Sequence, residues 1–428
     1  MVALLGIIQF LVISFVLLYE FKNKSPAVFL WATLWLMFGV MHLITSFSGN
    51  GEYDESVLAY TSVFVILFSF FYVAIRVFFS NKIKNRYCRR FLVQEYTEPS
   101  TGISNRIYHF IFFAFCISVL GQVLPFIKYA GGILNTSWAE MRDYAAAKSY
   151  FDIGGILGYT YFSCGGIVSL CWIKKDRVKL IIAVSLIVMN VIVMRNRVDI
   201  LPLMCSLLTI FLMKQKKISV KLIVTGAMSC IVVIYVVYAI RAFRWLGSIG
   251  DAVDQLSLKK ITDQVVYFIQ NDDGELGLRR YFYYFVSKNN QFKNFGKFHT
   301  YIRMLLVYLP TGLSGGIKPP DFAISMGIAA GGDATSSMHP TLFGDCYANL
   351  GGWGVMIGAF WAALVSVLDK LVLKFKDPYY MLMGYILCSS SYVIIARGAV
   401  YNGFANIAWG LPLLFAFYII SNRLKLRY

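Results

Sequence analysis

The chain has 428 residues, 58% of them hydrophobic and 14% charged, with a formal net charge of +18. That balance cannot present a soluble surface and describes a membrane protein. Basic loops between apolar helices reflect topology and anionic headgroups, so the charge does not point to nucleic acid.

In chain order, apolar runs predict spans near residues 2–19, 27–45, 57–79, 107–126, 153–173, 180–194, 200–213, 222–240, 353–373, 379–396 and 403–421. The first lacks a basic n-region and a cleavage site, and is read as a retained helix rather than a signal peptide. The expected fold is an all-α polytopic membrane protein of 11 to 12 spans. It divides into a bundle over 1–240, an outer loop over 241–352 and C-terminal spans over 353–428, within one integrated membrane domain. Eight cysteines are scattered singly without a CxxC, so buried thiols are expected rather than a disulfide framework or zinc.

Loop charge sets the orientation. Lys22 and Lys24, the cluster from Lys82 to Arg90, Lys174 with Lys175, Lys214 with Lys217, Lys374 with Lys376 and the tail Arg423, Lys425, Arg427 fall on alternate turns. All are cytoplasmic under one topology, with the N-terminus outside and the C-terminus inside. Outside lie the acidic loop around Glu52, Asp54 and Glu55, the segment 127–152, and the stretch from Arg241 to about Asn349. Tyr301 to Leu313 is apolar but about half a spanning length, and is read as re-entrant or interfacial.

Against this topology Arg195, Arg197, Arg241, Arg244, Arg279, Arg280, Arg303 and Arg397 all fall on the outer side, where short loops are normally poor in Lys and Arg. An anionic ligand would account for them. Only the 34 residues 180–213 separate Lys179 from Lys214, whereas two complete crossings need about 40. The apex Arg195-Asn196-Arg197-Val198-Asp199 therefore lies within the depth of the bilayer, where a charge marks a functional site or a stapling Arg–Asp pair. In the outer loop, patterns over 259–269 and 276–286 predict helices. The run Arg279-Arg280-Tyr281-Phe282-Tyr283-Tyr284-Phe285 reads as an interfacial amphipathic helix or as a sugar and phosphate contact, with Arg279, Arg280, Tyr281, Tyr284 and Arg303 the candidates.

The block Asp333 to Gly354 runs directly into the ninth span, and its glycines permit close approach of a ligand or helix. His339 suits a general base or, alternatively, a helix cap, and Asp345 could orient it or act as the base. His42, His109 and His299 fit structural roles better. Asp272-Asp273-x-Glu275 reads as a solvated loop or, alternatively, a divalent-ion site, and the expected site holds no metal.

The long outer loop, the hairpin at Arg195-Asn196-Arg197-Val198-Asp199, and the block from His339 to Gly354 together make the chain resemble the Wzy-type polymerases of bacterial O-antigen, capsule and exopolysaccharide repeat units. The pattern His339-x-x-Leu342 followed by Asp345 is more distantly similar to the O-antigen ligases. Gly344-Asp345 and Asn349-Leu350-Gly351 resemble the polymerases' Gly-Glu and Asn-Phe-Gly pattern, with Asp for Glu and Leu for Phe. The resemblance implies a GT-C-like glycosyltransferase in the bacterial inner membrane, with its site facing outward. It would move a glycan chain from undecaprenyl diphosphate onto a hydroxyl of an incoming lipid-linked repeat unit. No metal or other cofactor takes part.

The residues fit that chemistry. Arg195, Arg197, Arg241, Arg244 and Arg397 are the candidates for stabilising the diphosphate leaving group, with His339 and then Asp345 as base. Partners would be the lipid-linked oligosaccharide, membrane lipids and, as a candidate, a chain-length regulator of the polysaccharide co-polymerase type. The alternatives are a ligase-type glycan transferase and, from another class, a flippase; no internal repeat of the transporter kind is visible.

Overall fold

A computed structural model describes residues 1–48, 53–80, 102–129, 153–194, 196–214, 259–260, 262–263, 266–267, 276–291, 297–329, 338–375 and 377–425. Among these residues every regular element is helical. Among the described residues nine segments are long and apolar enough to cross a membrane: Val2–Asn23, Ala27–Ser48, Glu55–Phe79, Asn105–Leu124, Gly155–Ile173, Arg177–Met194, Thr341–Leu373, Pro378–Arg397 and Val400–Ser421. The protein is thus a polytopic membrane protein. Two further predicted spans differ: 222–240 lies outside the described residues, and 200–213 forms the 14-residue helix Leu201–Lys214. At 1.5 Å per residue that helix is about 21 Å long, short of the hydrocarbon core.

The chain divides into two compact units. One comprises Met1–Arg89, Asp272–Phe375 and Ser391–Ala408; the other comprises Arg90–Asn271, Lys376–Ser390 and Trp409–Tyr428.

The first unit is built on Val2–Asn23, Glu55–Ser80 and Ile357–Leu373, joined by Ala27–Ser48. The last of these widens into a π-helical stretch at Trp35–Met41. Gln9 Nε2 donates to the Phe38 carbonyl at 2.6 Å, so the amide nitrogen of a polar side chain within a span is satisfied by the backbone of its neighbour. The core is aromatic. Phe343 meets Phe38 and Phe68 edge-on at 4.9 and 5.0 Å, and Trp31 meets Tyr72 at 4.8 Å, an arrangement that matches ring edges to ring faces.

Three fully buried ionisable residues close one end of this unit. Arg76 Nε and Nη2 donate to Glu20 at 2.8 and 3.0 Å, Nη2 also donates to Asp369, and Nη1 donates to Ser366 Oγ at 2.9 Å. Tyr72 donates to Glu20 at 2.9 Å, and Ser25 Oγ lies 3.1 and 3.0 Å from the two Asp369 oxygens. Because these groups touch, the C-terminal ends of the three helices lie at one level, two of them marked by Lys22 and Lys24 or by Lys374. The three helices therefore run in the same direction, as the loop charges require.

In the second unit Ser169 Oγ donates to the Ser206 carbonyl and Ser206 Oγ to the Gly165 carbonyl, both at 3.0 Å. Small residues with reciprocal hydroxyl bonds let helix backbones approach where no water competes. Lys174 and Lys179 gather around Tyr108, with Lys179 3.2 Å from Asp176.

Candidate functional site

His339 stands just ahead of the helix Thr341–Leu350, and the backbone N–H of Met338 donates to the Ala323 carbonyl at 2.9 Å. The predicted span 353–373 therefore has a helical forerunner: Thr341–Leu350, a tight turn over Gly351–Met356, then Ile357–Leu373. Arg397 ends the helix Pro378–Arg397, and the chain reverses at Gly398, whose φ is 110°. A Cβ on Gly398 would lie 2.3 Å from the Thr341 nitrogen and 2.9 Å from the His339 carbonyl carbon. Only glycine fits that conformation and that approach. The corner packs the backbone following Arg397 directly on that of His339, with both side chains half-buried. Thr341 itself has φ 67°, a strained value for a β-branched residue.

Asp345 is fully enclosed. It accepts from Thr300 Oγ1 at 2.8 Å, while Asn349 Nδ2 lies 2.8 Å from the Asp345 carbonyl and 3.3 Å from its Oδ1. Asn349 Oδ1 in turn accepts from the Thr300 backbone N–H at 3.0 Å. The three side chains form a buried clasp holding the helix His299–Leu305 against Thr341–Leu350. The clasp supports the corner through the helix it anchors.

The basic and aromatic run folds as the helix Arg279–Ser287. Phe282 and Phe285 face the protein core, Phe282 meeting Phe64 at 5.3 Å and Tyr347 at 5.8 Å. Gly344 permits this approach, since a Cβ there would lie 3.2 Å from Phe282 Cβ. Tyr283 lies 2.6 Å from His42 Nδ1, and His42 Nε2 lies 2.8 Å from Ser62 Oγ. Arg279 is only 2% exposed and donates to Thr45 at 2.9 Å, while Arg280, Tyr281 and Tyr284 are half-buried. The face that would meet headgroups in a freely interfacial helix is here turned against other helices.

Arg303 and Lys318 are brought together on one ring. The Arg303 guanidinium lies 4.4 Å and Lys318 Nζ 5.5 Å from the Tyr401 centroid. Arg303 Nη1 donates to the Pro319 carbonyl, and Lys318 Nζ to the Leu309 carbonyl at 2.7 Å. His299 Nε2 lies 2.8 Å from the Pro320 carbonyl and must carry its proton there, since a carbonyl only accepts. Partial burial, opposed by that bond and reinforced by the Arg303 charge, lowers the His299 pKa. Within the apolar segment Tyr301–Leu313 the α-helix ends at Leu305 and a single 3-10 turn follows at Thr311–Leu313, so it is far too short to cross, consistent with its interfacial reading.

At the hairpin apex in the second unit, Arg197–Ile200 forms one 3-10 turn capped by Asn196, whose Oδ1 accepts from the Val198 N–H at 3.3 Å. Asp199 is buried, its carbonyl accepts from Tyr161, and Asn196 Nδ2 lies 3.3 Å from its carboxylate. Arg197 is half-buried. Arg195, Arg241 and Arg244 lie outside the described residues, as do Asp272, Asp273 and Glu275. Among the described residues no group of three or more His, Cys, Asp or Glu side chains could hold a metal ion.

Sequence reasoning passed over Glu20, Arg76 and Asp369, although single charges inside apolar runs are the signal that finds such groups. It also missed Lys318 and Tyr401. The signals were a lone lysine before Pro319-Pro320, and a tyrosine one helical turn beyond Arg397. The chain matches no protein-family model, no curated protein and no solved structure.

Proposed function

We propose that the protein is a membrane glycosyltransferase that polymerises lipid-diphosphate-linked oligosaccharide repeat units at the outer face of a bacterial inner membrane. The observation that carries this reading is the corner at Gly398, where a guanidinium-bearing residue and an imidazole-bearing residue, 58 positions apart in sequence, meet on adjoining backbone. Two further features support it. The positive end of the helix Thr341–Leu350 adjoins His339 and favours anions. The strained Thr341 lies between them, and strain of this kind clusters at working sites.

In the proposed reaction His339 removes the proton from an acceptor hydroxyl, whose oxygen attacks the anomeric carbon of the donor chain. The bond from that carbon to the diphosphate oxygen breaks, and the leaving group keeps the electron pair. Arg397 stabilises the charge that grows on the diphosphate, through paired N–H donors if the fork meets two oxygens.

The test is to replace Arg397 or His339 by alanine in cells lacking the native gene and to compare the length distribution of surface polysaccharide. Loss of the base or of the charge-stabilising group is expected to slow transfer by roughly 10²-fold or more. Single repeat units should then replace the ladder at unchanged protein level. A full ladder would remove both assigned roles. Long chains left on the lipid carrier would instead identify a ligase, and lipid-linked units accumulating on the cytoplasmic face a flippase.

A further inference from the structure

The segment from His299 to Lys318 combines two features that point to one kind of ligand. Arg303 and Lys318 both lie against Tyr401, so they stand within about a Debye length of each other. Among the described residues neither cation forms an ion pair. Their partners are the Pro319 and Leu309 carbonyls and a ring whose quadrupole attracts cations but carries no net charge. The nearby Asp321 carboxylate accepts from the Ala323 backbone N–H at 2.9 Å and, among the described residues, pairs with neither cation. Arg303 Nε has no acceptor, and Lys318, only 7% exposed, spends one of three donors on Leu309. Two positive charges are therefore fixed side by side with donors to spare and nothing negative between them.

The second feature is the apolar surface beside them. Leu305 is 84% exposed, Leu313 76% and Ile317 73%, and Ile302 and Tyr308 are exposed as well. Such a surface is costly in water and favourable at the boundary between headgroups and acyl chains. It carries cations and acyl-facing side chains together, which is the chemistry of an amphiphile with an anionic head.

We infer that Arg303 and Lys318 form a binding site for the headgroup phosphate of an anionic bilayer phospholipid, whose acyl chains lie along Leu305, Leu313 and Ile317. The apolar side chains stand outward on an open face, as bulk-lipid contacts do, rather than lining an enclosed slot for one selected molecule. The site seats the loop in the leaflet and so holds Tyr401, four residues beyond Arg397, at a fixed depth. This inference does not rest on the proposed transferase reading.

The test uses the full chain in nanodiscs of zwitterionic phosphatidylcholine, titrated with phosphatidylglycerol, with bound lipid counted by native mass spectrometry. Saturable binding of phosphatidylglycerol, weakened by salt, is expected in the wild type. Each surface cation contributes about fivefold to anionic-lipid affinity, so Arg303→Gln with Lys318→Gln should weaken binding by roughly 30-fold. Lys318→Met, which leaves the Arg303 contacts in place, should weaken it about fivefold, and Lys318→Arg should restore it. Unchanged phosphatidylglycerol binding in the double variant and in Lys318→Met would overturn the inference. So would binding of a polyprenyl diphosphate or of inorganic phosphate at this site with no response to phosphatidylglycerol. Polysaccharide length in cells does not enter the measurement, so its failure and that of the transferase reading are distinct.

Discussion

The first unit holds charge in two contrasting ways. Around Arg76 a single guanidinium is held by two carboxylates and the Ser366 hydroxyl, all buried, with Tyr72 donating to Glu20. Around Tyr401 two cations are held by carbonyls and a ring. Both arrangements fix arginine in place, but only in the second do the cations lack a carboxylate partner among the described residues. The difference separates architecture from recognition more sharply than the presence of an arginine does. A charge whose counter-charge comes from the chain itself ties helices together, and a charge whose partners are neutral awaits an anion.

Breaking the closed cluster should have the largest effect. Arg76→Met strands two buried carboxylates, and removing one partner of a buried pair typically costs roughly 3–5 kcal/mol. Thermal unfolding in detergent and the amount of folded protein in the membrane would report it. Glu20→Gln leaves Arg76 balanced by Asp369 and should cost about 1 kcal/mol. Replacing Glu20, Arg76 and Asp369 together by apolar residues of similar size should recover most of the loss. If the triple variant stayed as unstable as Arg76→Met, the cluster would be more than a tie between helices.

Next in size is the corner beside His339. Gly398→Ala forces a side chain onto the Thr341 nitrogen at a backbone angle that L-residues avoid, at a cost of about 1–3 kcal/mol in strain alone. If the proposed transferase reading holds, its signature should be a loss of that activity larger than the loss of stability, because it separates His339 from Arg397. Thr300→Val removes one donor to Asp345 within the clasp and should cost about 1–3 kcal/mol. Equal losses of activity and stability are expected there, since the clasp acts through the helix it anchors. If Gly398→Ala behaved like Thr300→Val, the corner would be structural too.

The sequence made the membrane class, nine of the spans and their alternation legible, because a run of apolar residues long enough to cross has few other uses. Loop lysines supplied the direction, and the meeting of Glu20, Arg76 and Asp369 agrees with it. What the sequence could not show was pairing. Asp345 reads as a base beside a glycine until Thr300 and Asn349, one of them 45 residues away, are seen to occupy it. Arg279 reads as a headgroup contact until its helix is found packed through Phe282 and Phe285. Lys318 shows only as a lone lysine before two prolines; its meaning comes from Tyr401, 83 residues on. Periodicity reports which face is apolar, not which partner covers it.

The smallest effect concerns pH, and it probes the neutral partners that distinguish the second region. The His299 pKa is lowered in the folded protein, chiefly by burial, so the native state prefers the neutral imidazole that donates to Pro320. A group whose folded value is depressed binds its proton more readily when unfolded. Stability is therefore full above the unfolded value, about 6.5, and is lost as pH falls from there through the lower folded value. The unfolding midpoint should drop by about 1–2 °C over that window. His299→Gln keeps a donor for the Pro320 carbonyl and cannot titrate, so it should remove this part of the drop while leaving the midpoint at neutral pH nearly unchanged. A wild-type and variant pair with parallel midpoints from neutral to acid would mean that His299 does not hold the loop in its neutral form. The Pro319 carbonyl that orients Arg303 would then have to be fixed by the Pro319-Pro320 backbone alone.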